Sequence, residues 1–194
     1  MRRPNLPAGS TVAVKTSDGM TAVPRMPLTI GQTLALLAET PRRIAELTSG
    51  LSAAHLRTAP AAGEWSANEV LAHLRACADV RGGAALTIVA EDWPTFRAID
   101  PRRWIESTDY VDQEFADSLR AFAKQRADLL AVLETLPPDG WARSAIVTGT
   151  GRPLERTVLF YAAWVVRHER PHVKQVRYIV HAIRRRGPAR RARS

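Results

Sequence analysis

Apolar side chains recur at helical spacing in four segments of this chain, and this pattern constrains the fold more than any other feature. The clearest stripe follows Thr108 and stops before the pair Pro137-Pro138. Its apolar members are Val111, Phe115, Leu119, Phe122, Leu129, Leu130 and Leu133. Because residues three or four apart share one face of an α-helix, the stripe predicts an amphipathic helix with a single buried face.

The other three segments show the same period and have recognisable ends. We expect the first helix to begin after Thr29 and to end near Ser49-Gly50. The second begins at Ser66-Ala67-Asn68-Glu69, which matches a capping box, and continues to about Ala90. The fourth covers about residues 154–183. The sequence therefore predicts four helices that bury their apolar faces against one another.

The connections between these helices suggest their arrangement. Residues 91–107 form a long link with two prolines, whereas a simple up-down bundle joins its helices through short loops. Residues 139–153 are expected to form a loop or a short hairpin. Aromatic residues make up only 6% of a chain that is 45% hydrophobic, which suits closely packed helices. We predict an all-α protein, a four-helix bundle over residues 28–183 with a long crossover between helices 2 and 3.

The net charge of +9 belongs to the two ends of the chain. Residues 1–27 carry +3, and residues 182–194 contain six Arg and no acid, so the part between them is neutral. We predict a disordered N-terminal extension over 1–27 and a disordered Arg-rich tail over 184–194. A basic tail can bind nucleic acid through phosphates, but no aromatic residue accompanies these arginines for stacking on bases. Nucleic acid is therefore not an expected partner, except through the tail.

Three features indicate a cytoplasmic protein that does not insert into membranes. No apolar run has the length needed to span a bilayer. The two arginines near the N-terminus are not followed by the apolar segment of a signal peptide. A single cysteine, Cys77, excludes an internal disulfide and a zinc site built from several cysteines. The sequence leaves a monomer and a homodimer open.

The segment His168-Glu169-Arg170-Pro171-His172 matches the zinc-protease pattern H-E-x-x-H. The rest of the chain argues against a protease. Glu169 is the last acidic residue, so no downstream carboxylate can complete the site. Gln175 and Tyr178 stand where the extended form of the motif needs Gly and His. Pro171 removes a backbone donor between the histidines and should bend the helix there.

The two histidines fit a different metal site better. On a helix, His168 and His172 lie one above the other, and Tyr161 and Trp164 precede them on an apolar, inward face. His73 on the second helix is the natural third ligand. Three imidazoles from two facing helices leave positions open for water or substrate, as a catalytic metal site requires. The alternative is three buried, hydrogen-bonded histidines without a metal.

These segments resemble a known family. L-R-T-A-P-A-A-G-E-W-S-A-N-E-V-L-A-H-L, from Leu56 to Leu74, resembles the second-helix entry of the DinB-like superfamily, where W-S-x-x-E-x-x-x-H-L carries the first metal histidine. H-E-R-P-H-V-K-Q-V, from His168 to Val176, resembles the fourth-helix signature H-x-x-x-H-x-x-Q. Residues 141–158 resemble the segment that leads into that helix. The resemblance covers roughly residues 28–181, and only Pro171, between the paired histidines, departs from the usual pattern.

The resemblance implies up-down-down-up connectivity and a divalent metal, zinc or nickel, bound by His73, His168 and His172. Members of the family include S-transferases and isomerases that use mycothiol, bacillithiol or glutathione. The resemblance therefore suggests a metal-dependent thiol S-transferase with a metal-activated thiolate, a small-molecule substrate and a thiol such as mycothiol. Two alternatives stay open: a hydrolase that uses a metal-bound water, and a non-enzymatic stress-response or binding protein with a structural or vestigial metal.

Two neighbours of these histidines have more than one interpretation. Cys77 follows His73 by one helical turn and is either a small buried apolar residue or a metal neighbour, as ligand or redox-sensitive group. Glu169 follows His168 directly, and on a helix its side chain points about 100° away from that of His168. That direction favours a surface carboxylate, or one that supports a ligand, over a catalytic base. The sequence identifies no catalytic residue and no thiol-binding residue.

Overall fold

Four long helical segments account for most of residues 27–149 and 151–186, which this computed structural model describes. They are α1 (Ile30–Thr48), a segment made of α3 (Ala67–Cys77), a π-helical stretch (Ala78–Gly82) and α4 (Gly83–Ala90), then α6 (Phe115–Leu133) and α7 (Val158–Arg186). Two short helices, α2 (Ala53–Leu56) and α5 (Pro101–Glu106), and a 3₁₀ turn (Gly140–Ala142) lie in the connections.

The long helices pack as a bundle in which the first long segment pairs with the third and fourth rather than with the second. α1 packs against α6 and α7, and α3 packs against the same two helices. The chain must therefore cross from α4 to α6, and it does so through residues 91–114. The predicted four-helix bundle with a long crossover between its second and third helices is confirmed.

Side-chain caps determine where α1 and α3 begin. The hydroxyl of Thr29 accepts a hydrogen bond from the backbone N–H of Gln32 (3.2 Å), and the Gln32 side chain accepts one from the backbone of Thr29 (3.0 Å). In the same way, the hydroxyl of Ser66 accepts a hydrogen bond from the backbone N–H of Glu69 (3.2 Å), and the carboxylate of Glu69 accepts one from the backbone N–H of Ser66 (2.7 Å). Such reciprocal bonds satisfy donors that a helix end leaves open. The predicted starts of both helices are confirmed, and the second cap sets the register that places His73.

A three-stranded sheet is the main feature that the sequence analysis did not predict. Its strands are β1 (Thr95–Arg97), β2 (Ser144–Thr148) and β3 (Leu154–Thr157). β1 runs parallel to β2, with Thr95 opposite Ile146, and β2 runs antiparallel to β3, with Ser144 opposite Thr157. The hairpin considered for residues 139–153 exists, but its strands β2 and β3 extend from Ser144 to Thr157. The sheet delivers the chain directly to α7, whose Phe160 N–H donates to the Thr157 hydroxyl (3.0 Å).

The last turn of α7 is tied to the rest of the bundle. α7 continues to Arg186, three residues beyond its predicted end. Arg184 donates to the carbonyl of Ser49 (2.9 Å), just after α1, and Arg186 donates to the carbonyl of Pro60. The predicted disordered segments otherwise lie outside the described residues. Within the described part of the chain, no helix combines the length and the apolar character needed to cross a membrane.

Candidate metal centre

Three imidazoles converge where α3 meets α7. His73 comes from α3, while His168 and His172 lie one turn apart on α7. The ring centroid of His73 is 5.1 Å from that of His168 and 4.9 Å from that of His172, and the two rings on α7 are 4.8 Å apart. The structure thus brings together the three residues that the sequence analysis selected.

The donor atoms of His73, Cys77 and His168 have the separations that a tetrahedral ion requires. The Nε2 atoms of His73 and His168 are 3.3 Å apart, and the sulfur of Cys77 is 3.6 Å and 3.9 Å from them. Zinc bonds of about 2.0–2.1 Å to nitrogen and about 2.3 Å to sulfur imply about 3.3 Å between two nitrogens and about 3.6 Å between nitrogen and sulfur. Cys77 is therefore close enough to act as a ligand, one of the two roles left open for it.

His172 stands beside this group and is held by a hydrogen bond. The ligand atoms of His73, Cys77 and His168 all lie within 4.8 Å of one another, a group that does not include His172. Nδ1 of His172 is 2.9 Å from the side-chain oxygen of Gln175. An imidazole that donates from Nδ1 to such an oxygen keeps Nε2 unprotonated and available to a metal. The sequence assigns no role to Gln175 beyond its place in the signature H-x-x-x-H-x-x-Q, although its i+3 spacing from His172 places it on the same helix face.

Two tryptophans flank the imidazoles. The ring of Trp164 stacks on His168, with centroids 4.5 Å apart and planes 13° apart. The ring of Trp65 lies 5.3 Å from His73 and 6.4 Å from His172. Nδ1 of His168 is buried and makes no hydrogen bond within the described residues, so the Trp164 stack orients this ring. Trp65 also packs against the apolar core.

Burial keeps the imidazoles neutral, which is the form that binds metals. Burial, with contributions from the nearby His172 and Arg102, lowers the pKa of His73 to about 4. Burial lowers the pKa of His168 to about 3, again with a contribution from His172. Burial also lowers the pKa of His172, while its bond to Gln175 acts in the opposite direction. Near neutral pH the three rings are therefore uncharged.

The metal-free protein should lose stability as the pH falls from about 7 to about 5. The histidines have lower pKa values in the folded protein than their ordinary value of 6.5. The unfolded chain therefore binds more protons in this range, and acid shifts the equilibrium toward it. Thermal unfolding in the presence of a chelator, at stepped pH values, measures the effect. His168→Asn should make the decline shallower, and an unchanged slope in that variant would contradict the assignment.

Cys77 is a buried, protonated thiol before any metal binds. Burial raises the pKa of the Cys77 thiol to about 12, the Arg81 guanidinium opposes the shift, and the carboxylates of Glu169 and Asp100 add to it. A divalent ion at this position would have to displace the proton from sulfur, as it does at thiolate sites in general.

Cys77 should therefore resist alkylation in the folded, metal-free protein. The thiolate is the reactive form, so iodoacetamide at mildly alkaline pH should modify folded protein at least about a hundredfold more slowly than protein unfolded in urea. Mass spectrometry over time gives both rates, and the urea sample is the control for reagent activity. Equal rates in the two samples would show that the thiol is accessible and ionised.

Glu169 turns away from the imidazoles and forms a buried ion pair. Its carboxylate contacts the guanidinium of Arg126 on α6, and the two side chains are only 2% and 3% exposed. Burial raises the pKa of Glu169, whereas Arg126 and the hydroxyl of Thr40 act in the opposite direction. The expectation of a surface carboxylate is wrong, because α1 packs against α7 and Thr40 of α1 and Arg126 of α6 both interact with this carboxylate. Its place beside Arg126 is also unlike that of a zinc-protease base, which must face the metal.

Comparison with known proteins identifies the family and the fold. A model of the DinB superfamily matches residues 36–176. Among solved structures, the chain is similar to YfiT from Bacillus subtilis, described as a probable metal-dependent hydrolase with an unusual four-helix bundle topology. The match has a TM-score of 0.67 and 21% sequence identity, and it covers 85% of this chain and 93% of that one. At this identity the likeness concerns the fold. No curated protein matches the sequence.

Proposed function

The chain belongs to the DinB superfamily, and we propose that it is a metal-dependent enzyme that transfers a low-molecular-weight thiol to a small-molecule substrate. His73, His168 and His172 would hold the ion, zinc or nickel. The observation that carries the proposal is the convergence of three neutral imidazoles, two of them with facing Nε2 atoms 3.3 Å apart. A cytoplasmic location suits this activity, because thiols are kept reduced there.

The donor set fits a divalent ion of intermediate softness. Imidazole suits zinc and nickel, and the nearby sulfur of Cys77 favours zinc over harder ions such as magnesium. With the sulfur of Cys77 displaced, three neutral imidazoles would leave the full charge on the ion, which would lower the pKa of a bound thiol or water. The hydrogen bond from His172 to Gln175 and the stack of Trp164 on His168 hold two of the rings in place for that role.

The surroundings of the site favour thiol chemistry over activation of water. Attack by water calls for a general base. The two carboxylates that raise the pKa of Cys77, Glu169 and Asp100, both have other partners. Glu169 forms an ion pair with Arg126. Asp100 accepts a hydrogen bond from the backbone N–H of Arg102 (3.0 Å) at the start of α5. A thiol at the centre can lose its proton to solvent without a base. The sulfur of Cys77 lies where an incoming thiol would bind, so the two compete.

The test uses Co²⁺ as a coloured substitute for zinc, in the Cys77→Ala variant, which removes the competing protein thiol. Mycothiol should change the visible absorption of the Co²⁺ protein, and bacillithiol and glutathione serve as alternative probes. His73→Ala, treated in the same way, is the control for thiol binding outside the site. Absence of any spectral change with all three thiols would overturn the thiol proposal, and metal content would show separately whether the ion site survives.

Turnover can then be followed with 1-chloro-2,4-dinitrobenzene as the electrophile. The thiol sulfur forms a bond to the ring carbon, chloride leaves with the bonding electron pair, and the thiol proton passes to solvent. We expect product formation that depends on both metal and thiol. A hydrolase is the second candidate, favoured by the description of YfiT. It predicts metal-dependent cleavage of p-nitrophenyl acetate without thiol, and that result would replace the transferase proposal.

A further inference from the structure

A cleft lies beside the candidate metal centre, separate from the group of imidazoles. It has a volume of about 170 Å³ and lies between the sheet, the π-helical stretch and the first turns of α7. Trp164 belongs to both sites, because its ring lines this cleft and also stacks on His168. The ring of Trp164 would therefore be the shared wall between His168 and a molecule held in the cleft.

Two guanidinium groups converge on this cleft. Arg81 comes from the π-helical stretch, and its Cζ lies 4.9 Å from the ring centroid of Trp164. Arg156 comes from β3, and its Cζ lies 4.5 Å from the ring centroid of Phe160. Tyr161 lines the cleft together with both arginines. Burial raises the pKa of its hydroxyl, whereas Arg81 and Arg156 act in the opposite direction. The aromatic rings of Phe160, Tyr161 and Trp164 form another wall of the cleft.

These cations have no counter-charge within the described residues. Nε of Arg81 is buried and makes no hydrogen bond there, and Arg156 donates to the backbone carbonyl of its neighbour Glu155 (3.0 Å). Two like charges that face one partly buried space repel each other, and desolvation raises the cost. An anion in the cleft would relieve both effects. The planar guanidinium fork matches a carboxylate with two parallel hydrogen bonds.

We infer that this cleft binds the carboxylate of a small, flat organic acid and holds its carbon skeleton against Trp164, beside the metal centre. The volume admits a molecule of roughly the size of benzoate, well below a drug-sized ligand. The aromatic walls favour a planar apolar body next to the charged end. The inference names the substrate class of the proposed transferase and rests on that function for its role, whereas the binding itself needs no metal.

Calorimetric titration of benzoate into the full-length, metal-free protein tests the inference. Benzamide is the matched ligand control, since it has the same shape without the charge. Arg81→Ala and Arg156→Ala should each weaken benzoate binding at least about tenfold. Arg152→Ala should change it less than about twofold, because Arg152 is an exposed arginine that does not line the cleft.

Benzoate binding that exceeds benzamide binding and depends on both arginines supports the inference. Equal binding of the two ligands, absence of benzoate binding, or full affinity in the two variants overturns it. Circular dichroism and zinc content of each variant separate loss of the cleft from loss of the fold. Benzoate binding without thiol transfer would count against the proposed function alone, and thiol transfer without benzoate binding would count against this inference alone.

Discussion

Replacing His73 or His168 by alanine should lower the affinity of the protein for zinc by about a hundredfold to a thousandfold. Zinc sites with four protein ligands contribute about 10–16 kcal/mol, so one ligand accounts for about 3–4 kcal/mol, and every 1.4 kcal/mol is about tenfold in affinity. The two Nε2 atoms face each other at 3.3 Å, so each ring supplies one bond to the same ion. Competition with a coloured chelator measures the affinities.

The controls come from the same helix. His181 is an exposed histidine on α7, far along the helix from the paired rings, and His181→Ala should leave zinc affinity unchanged. Glu169→Gln should also retain zinc, because its carboxylate faces Arg126. His172→Ala and Cys77→Ala compare the contributions of the two remaining donors, and we expect the larger loss in His172→Ala. Full zinc affinity in His73→Ala would contradict the three-imidazole site.

Replacing Glu169 by glutamine should destabilise the fold by about 3–5 kcal/mol. The change leaves the guanidinium of Arg126 buried without a counter-charge, and two of its nitrogens, Nε and Nη1, already lack hydrogen-bond partners within the described residues. For a chain of this length the loss corresponds to a fall in melting temperature of about 6–20 °C. Thermal unfolding of metal-free protein measures it without interference from the metal site.

A double variant separates the buried charge from the packing. Arg126→Met combined with Glu169→Leu removes both charges at similar volume and should recover most of the lost stability. Asp128→Asn is the matched surface control, because Asp128 pairs with Lys124 on the exposed side of α6 and should change stability by less than about 1 kcal/mol. A Glu169→Gln melting temperature equal to that of the wild type would show that the pair contributes little.

Local sequence signals predicted the parts of the structure that depend on neighbouring residues. The helix start at Thr29 and the capping box at Ser66 each depend on a few consecutive residues, and both helices begin where they were expected to begin. The i, i+4 spacing of His168 and His172 fixes a shared helix face, so their meeting with His73 needed only the correct pairing of α3 with α7. The resemblance to a known family supplied that pairing.

Features that depend on distant parts of the chain could not be predicted in the same way. β1 has three residues and obtains its partners only from β2, which lies about fifty residues later, so its sequence carries no alternating pattern of its own. The sequence pattern favours a surface position for Glu169, because its buried partner, Arg126, comes from another helix and is not visible in the local sequence. The cleft that contains Arg81 and Arg156 likewise exists only once the sheet packs against α7.

X-ray absorption at the zinc edge of the metal-loaded protein tests the central claim most directly, because it identifies the atoms bound to the ion. We expect nitrogen at about 2.0–2.1 Å with the outer scattering of three imidazoles, and sulfur at about 2.3 Å that disappears in Cys77→Ala. The sulfur follows from the position of Cys77 next to the Nε2 atoms of His73 and His168. A spectrum made only of oxygen ligands, without imidazole scattering, would contradict the histidine centre between α3 and α7.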